Sequence, residues 1–142
     1  MSISSDLVTL NSAITQLMRT FRWVDEAQGV GRARLSALAV LHFSGSCSLS
    51  ELARAEMVTR ATMHHVVAGL EGDELIVRLP NREDARSQRI ELTKLGRRVI
   101  TAAHQARLDF LRSLIPGTSA AELANAAKVL SRLRDNARQE AL

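Results

Sequence analysis

Residues 75–96, LIVRLPNREDARSQRIELTKLG, constrain this chain more than any other stretch. Two short apolar runs, Leu75-Ile76-Val77 and Ile90-Glu91-Leu92, flank a connector that begins at Pro80-Asn81 and is rich in turn formers and charge. That pattern predicts a β-hairpin over about 75–92, opening into a long helical pattern. Arg78, Arg82, Arg86 and Arg89 outweigh Glu83 and Asp84, so the hairpin is net positive where long side chains reach past the body of the domain. Such a hairpin suits a polyanion. A solvated charged loop has the same composition, and the segment before it is what separates the two readings.

Between Ser48 and Asp73 the sequence predicts two helices joined by a very short break. The first opens on Ser48-Leu49-Ser50-Glu51, in which the Ser48 hydroxyl accepts from the Glu51 N–H while the Glu51 carboxylate accepts from the Ser48 N–H. Leu49, Leu52 and Ala53 form its apolar side, and Met57-Val58 form the turn. Thr59 caps the second helix, where Met63, Val66, Val67 and Leu70 recur at three- and four-residue steps. Its other side shows Arg60, Ala61, Thr62, His64 and His65 near the N-terminus. A helix entering the major groove needs this layout, because its first turns meet bases and phosphates while its apolar stripe holds it to the domain. Helix, turn, helix and basic hairpin together predict a winged helix-turn-helix over 33–93, with a recognition helix over about 60–72. Without the hairpin, an ordinary helical pair with a polar outer face would be the simpler reading.

The same residues resemble the multiple-antibiotic-resistance-regulator (MarR) family of bacterial transcription factors. The likeness rests on Leu52-Ala53, Thr62-Met63, Leu70-Glu71, Leu75-Ile76-Val77-Arg78 and Pro80, then Asp84-Ala85-Arg86 and Leu92-Thr93 followed by Gly96. The resemblance implies a homodimeric regulator in which the helix after Thr59 reads the major groove and Arg86 enters the minor groove. Asp84 would steady the wing through an ion pair. Arg82 and Arg89 complete the basic set. The chain departs from the family at Glu74, where a glycine is common before the strand, and Gly72 is expected to supply the left-handed residue instead. Ala68 stands where many relatives carry Asp, and Gly69 interrupts the recognition helix for no reason visible in the sequence.

Beyond the head, Leu7, Leu10, Ile14, Leu17, Phe21 and Val24 form a heptad-like seam over 4–28. Val99, Ile100, Ala103, Phe110, Leu111 and Leu114 mark a helix broken by Pro116-Gly117, and Ser119 to Glu122 form a capping box for a last helix bearing Leu123, Ala127, Leu130, Leu133 and Ala137. One small winged domain can hardly bury such apolar arms. The expected fold is therefore mainly α with a small β-hairpin wing, a single 1–142 domain whose segments 4–28 and 97–142 pair with a second copy. An intramolecular bundle satisfies the same periodicity. Two-fold pairing sets two recognition helices about one duplex turn apart, as an inverted repeat requires.

Other function classes find little support. No apolar run is long enough for a membrane span, and MSISSDLVTL lacks the basic start and apolar centre of a signal peptide, so a cytoplasmic location is expected. The net charge of +4 and pI near 10.5 suit a nucleic-acid binder. Aromatics are only 3% with no Tyr, which disfavours single-strand binding by base stacking. Cys47 is the one cysteine, so neither an internal disulfide nor a thiolate zinc site is available, and a structural role is favoured over an oxidation switch. Ser46-Cys47-Ser48 is placed to add a short third strand to the hairpin. His64 and His65 are adjacent and diverge by about 100° on a helix, so they do not chelate a metal together. No nucleophile elbow, phosphate-cradling glycine loop or paired carboxylates suggest an enzyme, and no cofactor is expected. The resemblance implies a crevice for a small aromatic or anionic effector, near which Arg22, Trp23, Arg34, His42 and Phe43 are expected. Ordinary packing of Trp23 and Phe43 is the competing account. The rival to operator binding is a winged-helix module that binds proteins or only dimerises, against which so many wing arginines argue.

Overall fold

The computed structural model describes residues 2–140. Six helices and one hairpin follow in the order α1 (Ile3–Glu26), α2 (Arg32–Ser44), α3 (Leu49–Ala55), α4 (Arg60–Gly72), β1 (Ile76–Pro80), β2 (Gln88–Leu92), α5 (Lys94–Leu114) and α6 (Ala120–Glu140). The expected class, mainly helical with a small hairpin wing, is what the chain adopts. Contacts divide it into two compact units, one running to Leu108 and one from Asp109.

The core of the first unit is built where α2, α3, α4 and the hairpin meet. Leu38, Leu52, Met63, Val67, Leu70, Ile76 and Ile90 are almost wholly buried. Three of these lie on α4, and at about 1.5–3 kcal/mol per buried aliphatic side chain they fasten this helix far more strongly than its own propensity does. Its remaining predicted position, Val66, is half-buried.

Local chemistry sets the boundaries. Ser48 and Glu51 form the reciprocal capping box on α3, with Glu51 N–H to Ser48 Oγ at 3.2 Å and Ser48 N–H to Glu51 Oε2 at 2.7 Å. Thr59 caps α4 by accepting from the Thr62 N–H at 3.1 Å. Both helices then close through a non-glycine residue in the left-handed region, Met57 at φ 54° after α3 and Glu74 at φ 58° after α4. Beyond each, the next N–H reaches back into the last turn: Val58 to the Ala53 carbonyl at 3.0 Å and Leu75 to the Leu70 carbonyl at 2.9 Å. This corrects the expectation for Gly72, which stays helical while Glu74 itself takes the strained conformation.

The hairpin is longer than its apolar runs suggest. Ile76 pairs with Leu92 and Pro80 with Gln88, so Pro80 ends a strand instead of starting the turn. Proline is tolerated at the end of a strand in a two-stranded sheet, where its missing N–H leaves no ladder bond unmade. Cys47 adds the expected third-strand contact as a single antiparallel bridge to Ile90. The Leu92-Thr93 to Gly96 motif also acquires a cause: Thr93 accepts from the Gly96 N–H at 2.9 Å and donates its hydroxyl to the Glu74 carbonyl at 2.7 Å. A Cβ on Gly96 would run into the Leu75 carbonyl.

In the second unit, α6 follows the Pro116-Gly117 break and is capped by Ser119 and Glu122, as expected, with Glu122 N–H to Ser119 Oγ at 3.3 Å and Ser119 N–H to Glu122 Oε2 at 2.9 Å. None of its residues is buried, and Leu123, Leu130 and Leu133 stand exposed. On α1 the seam residues Leu7 and Leu17 are exposed as well. Among the described residues, no helix is long and apolar enough to cross a membrane.

Candidate nucleic-acid interface

The buried stripe of α4 faces inward, which leaves Arg60, Ala61, Thr62, His64 and His65 all exposed on its N-terminal half. The Thr59 and Thr62 hydroxyls lie 2.8 Å apart, so the first turn is ordered by its own side chains.

The wing tip is held by a chain of short-range bonds. Asn81 N–H donates to the Ser87 carbonyl at 3.1 Å and Asn81 Nδ2 to Ser87 Oγ at 3.0 Å, closing the loop at its base. Inside it, the Asp84 carboxylate accepts from the Arg86 backbone N–H at 3.0 Å and the Asp84 carbonyl accepts from the Ser87 N–H at 3.1 Å. Asp84 therefore steadies the wing by gripping the backbone at Arg86, in place of the ion pair that the resemblance implied. The Arg86 and Arg82 side chains are left exposed.

Two other wing arginines are engaged with the protein. Arg78 Nε donates to Glu71 Oε2 at 2.6 Å, tying β1 to α4. Arg89 is half-buried and folds back onto Ser46, with Nε 3.0 Å and Nη2 2.8 Å from Oγ and Nη2 also on the Ser46 carbonyl. In this conformation Arg89 anchors the hairpin to the turn before α3 and does not extend to the tip. Arg60, Arg78 and Arg86 line one groove of about 370 Å³ with Ser48, Ser50 and Ser87. Arg60 and Arg86 bring exposed guanidinium groups to this groove while Glu71 holds Arg78, and exposed guanidinium groups are chemically matched to phosphate oxygens.

Cys47 lies beside this head. Burial pushes its thiol pKa up, and the Glu51 carboxylate adds to that while Arg89 opposes it. A thiol kept protonated is a poor nucleophile, which favours the structural role.

The residues expected around an effector crevice are not brought together. Arg22 and Trp23 are exposed on α1, Trp23 at 78%. Arg34 pairs with Asp73 at the end of α4. His42 is half-buried, its Nδ1 buried without a hydrogen-bond partner, and its ring meets Phe43 edge to face at 4.8 Å. Of the five, only Phe43 lines the cavity of about 260 Å³ formed by α1, α2 and α5, where it joins Asp25, Arg32, Ser36, His104 and Arg107. Phe43 packs edge to face on His104 at 5.2 Å. Asp25, 6% exposed, is held by Arg107 Nη2 at 2.5 and 2.6 Å, and that guanidinium also lies 4.9 Å above the Phe21 ring. Sequence reasoning missed these charged residues. The available signal was that Asp25 and Arg107 each extend an apolar stripe, four residues beyond Phe21 and Ala103 respectively.

Residues 31–88 match the MarR family model. An HTH-type transcriptional regulator of Mycobacterium tuberculosis is 29% identical over 102 residues, covering 72% of this chain and 71% of that protein. A mutant MarR from E. coli, solved in complex with operator DNA, superposes with a TM-score of 0.70 at 19% identity over 94% of this chain and 99% of its own. BpsR of Bordetella bronchiseptica, whose DNA binding is regulated by 6-hydroxynicotinic acid, gives a TM-score of 0.69 at 19% identity, over 88% and 92%. At such identities the two structures speak for the fold alone. The named relatives are regulators of transcription, which agrees with the expectation that the chain is not an enzyme. Residues 31–88, which hold the capped helix pair and the gripped wing, thus form a head that matches the MarR family model.

Proposed function

We propose that this chain is a transcriptional regulator that binds operator duplex DNA as a homodimer, most often repressing by occupying the promoter until a small molecule releases it. The observation that carries the reading is the groove shared by Arg60, Arg78 and Arg86, which joins the start of the recognition helix to the wing tip. Arg86 reaches into the minor groove, where the concentrated negative potential favours a guanidinium. Thr62, His64 and His65 face base edges and phosphates from α4.

Pairing is supported by the exposed apolar positions of α1 and α6, which a second copy would cover. Effector relief is supported by the cavity between α1, α2 and α5. At about 260 Å³ it falls just below the ~300–1,000 Å³ of drug-sized sites, so it fits a single ring bearing one acidic group. Arg32, Arg107 and His104 would meet the anion and Phe43 the ring.

The test is a gel shift with the DNA upstream of the chain's own gene, at two salt concentrations and with random duplex as competitor. Specific retardation that weakens steeply with salt is expected. Absence of any specific complex at low salt overturns the operator reading in favour of a protein-binding module. Small aromatic acids are then screened for release of the bound duplex.

A further inference from the structure

The recognition helix carries an anomaly that operator contact does not use: Gly69, in its interior. The structure gives it a partner. Arg34 of α2 lies flat across Gly69, so that a Cβ built there would fall 2.8 Å from Arg34 Cζ and 2.9 Å from Nε. From that position Arg34 Nη1 reaches Asp73 Oδ2 at 2.5 Å. On the other side of the helix, Arg78 of β1 holds Glu71 at 2.6 Å.

At about 100° of turn per residue, Gly69 and Asp73 fall on one flank of the buried Met63–Val67–Leu70 stripe and Glu71 on the other. Thr62 lies on the same flank as Gly69 and Asp73, and His64 on the flank of Glu71. We propose that Arg34, seated on Gly69, and Arg78 act as opposed positioning residues that fix the roll of the recognition helix about its own axis. The glycine is then required because any side chain at that position lifts Arg34 from its seat. The apolar stripe decides which face is inward, but aliphatic packing tolerates small rotations that hydrogen-bond readout does not. At the ~5–6 Å outer radius of a helix with its side chains, a roll of about 10° moves a side-chain tip by about 1 Å. That is enough to lose a base-edge hydrogen bond.

The proposal rests on the operator-binding reading, and its test separates the two. Gly69→Ala keeps every charge and every proposed DNA contact, and it removes a poor helix former. The Gly69→Ala protein is expected to stay folded with no loss of thermal midpoint, yet to bind upstream DNA about tenfold more weakly while its affinity for random duplex holds. Arg34→Ala should show a similar loss of specific over random affinity. The double variant should be no worse than Arg34→Ala alone, because the guanidinium that the added methyl would displace is already gone. Unchanged specific affinity in Gly69→Ala, or losses that multiply in the double variant, overturns the proposal. A readout without DNA covers the case in which the wild type binds none: amide NMR shifts over residues 60–66 should move in each single variant and move no further in the double. Shifts confined to the neighbours of Arg34 and Gly69 would equally overturn it.

Discussion

At the scale of single residues, the wing shows which side chains act outward and which act on the fold. Arg86 is exposed with its backbone fixed by Asp84, so Arg86→Ala should weaken operator binding by about 1–3 kcal/mol while leaving the fold intact. Fluorescence anisotropy on the upstream duplex checks this, and wild-type affinity would defeat the minor-groove role. The exposed place of Arg86 is legible in the sequence because its motif is local, with Asp84 two residues away. That of Arg89 is not, because the partner that draws it back, Ser46, lies 43 residues earlier in the chain. Glu74 makes the complementary point. Its left-handed backbone, at φ 58°, costs about 1 kcal/mol that glycine would avoid. Glu74→Gly should therefore raise stability by about 0.5–1 kcal/mol, seen as a higher thermal midpoint with no change in DNA affinity. A drop in the midpoint would mean that the Glu74 side chain makes a contact worth more than the strain.

At the scale of elements, caps and helical stripes are legible because both depend on neighbours three or four residues away. The extent of the hairpin is not, because pairing is settled by the partner strand, and Gln88 recruits Pro80 to a ladder that its own composition disfavours. The cavity between α1, α2 and α5 escapes sequence reading for the same kind of reason: Asp25 and Arg107 meet across 82 positions. The capping box of α3 offers a direct test of the local logic. Ser48→Ala should lower stability by about 1 kcal/mol at neutral pH. The Glu51 carboxyl is held below its ordinary value of 4.5, first by the Ser48 backbone N–H and further by its hydroxyl and by Arg89 and Arg54. A depressed folded value means that the stabilisation is complete above pH 4.5 and disappears as pH falls through the lower folded value. Glu51→Gln should lose that part of the acid sensitivity below pH 4.5, measured by denaturant midpoints as a function of pH. An acid limb identical to the wild type would remove Glu51 from the account.

At the scale of the whole molecule, the proposed dimer and the proposed DNA contacts can be tested through one measurement, because counterion release counts phosphates. Arg60, Arg82 and Arg86 are the arginines of the recognition helix and wing that stand exposed to solvent. A paired molecule then neutralises about six phosphates, and at about −0.9 per phosphate log K should fall with log salt at a slope near −5. A single head should give a slope of about −3 by the same rule. The exposed leucines of α6 supply the means of separating the two states. Replacing Leu130 and Leu133 by Gln adds no charge and touches no residue assigned to the groove. Both side chains are already about half covered, at 48% and 43% exposed, so pairing can bury only the other half, about half of the ~1.5–3 kcal/mol of a full burial; over the four copies brought together by the two-fold axis, dimer stability should fall by about 3–6 kcal/mol. Sedimentation should then show monomers at micromolar concentration, and the salt slope of the variant should drop towards the single-head value. A variant that still sediments as a dimer would place the interface elsewhere. A monomeric variant that keeps the full slope would mean that one head alone makes all the contacts, and the inverted-repeat operator would have no physical basis.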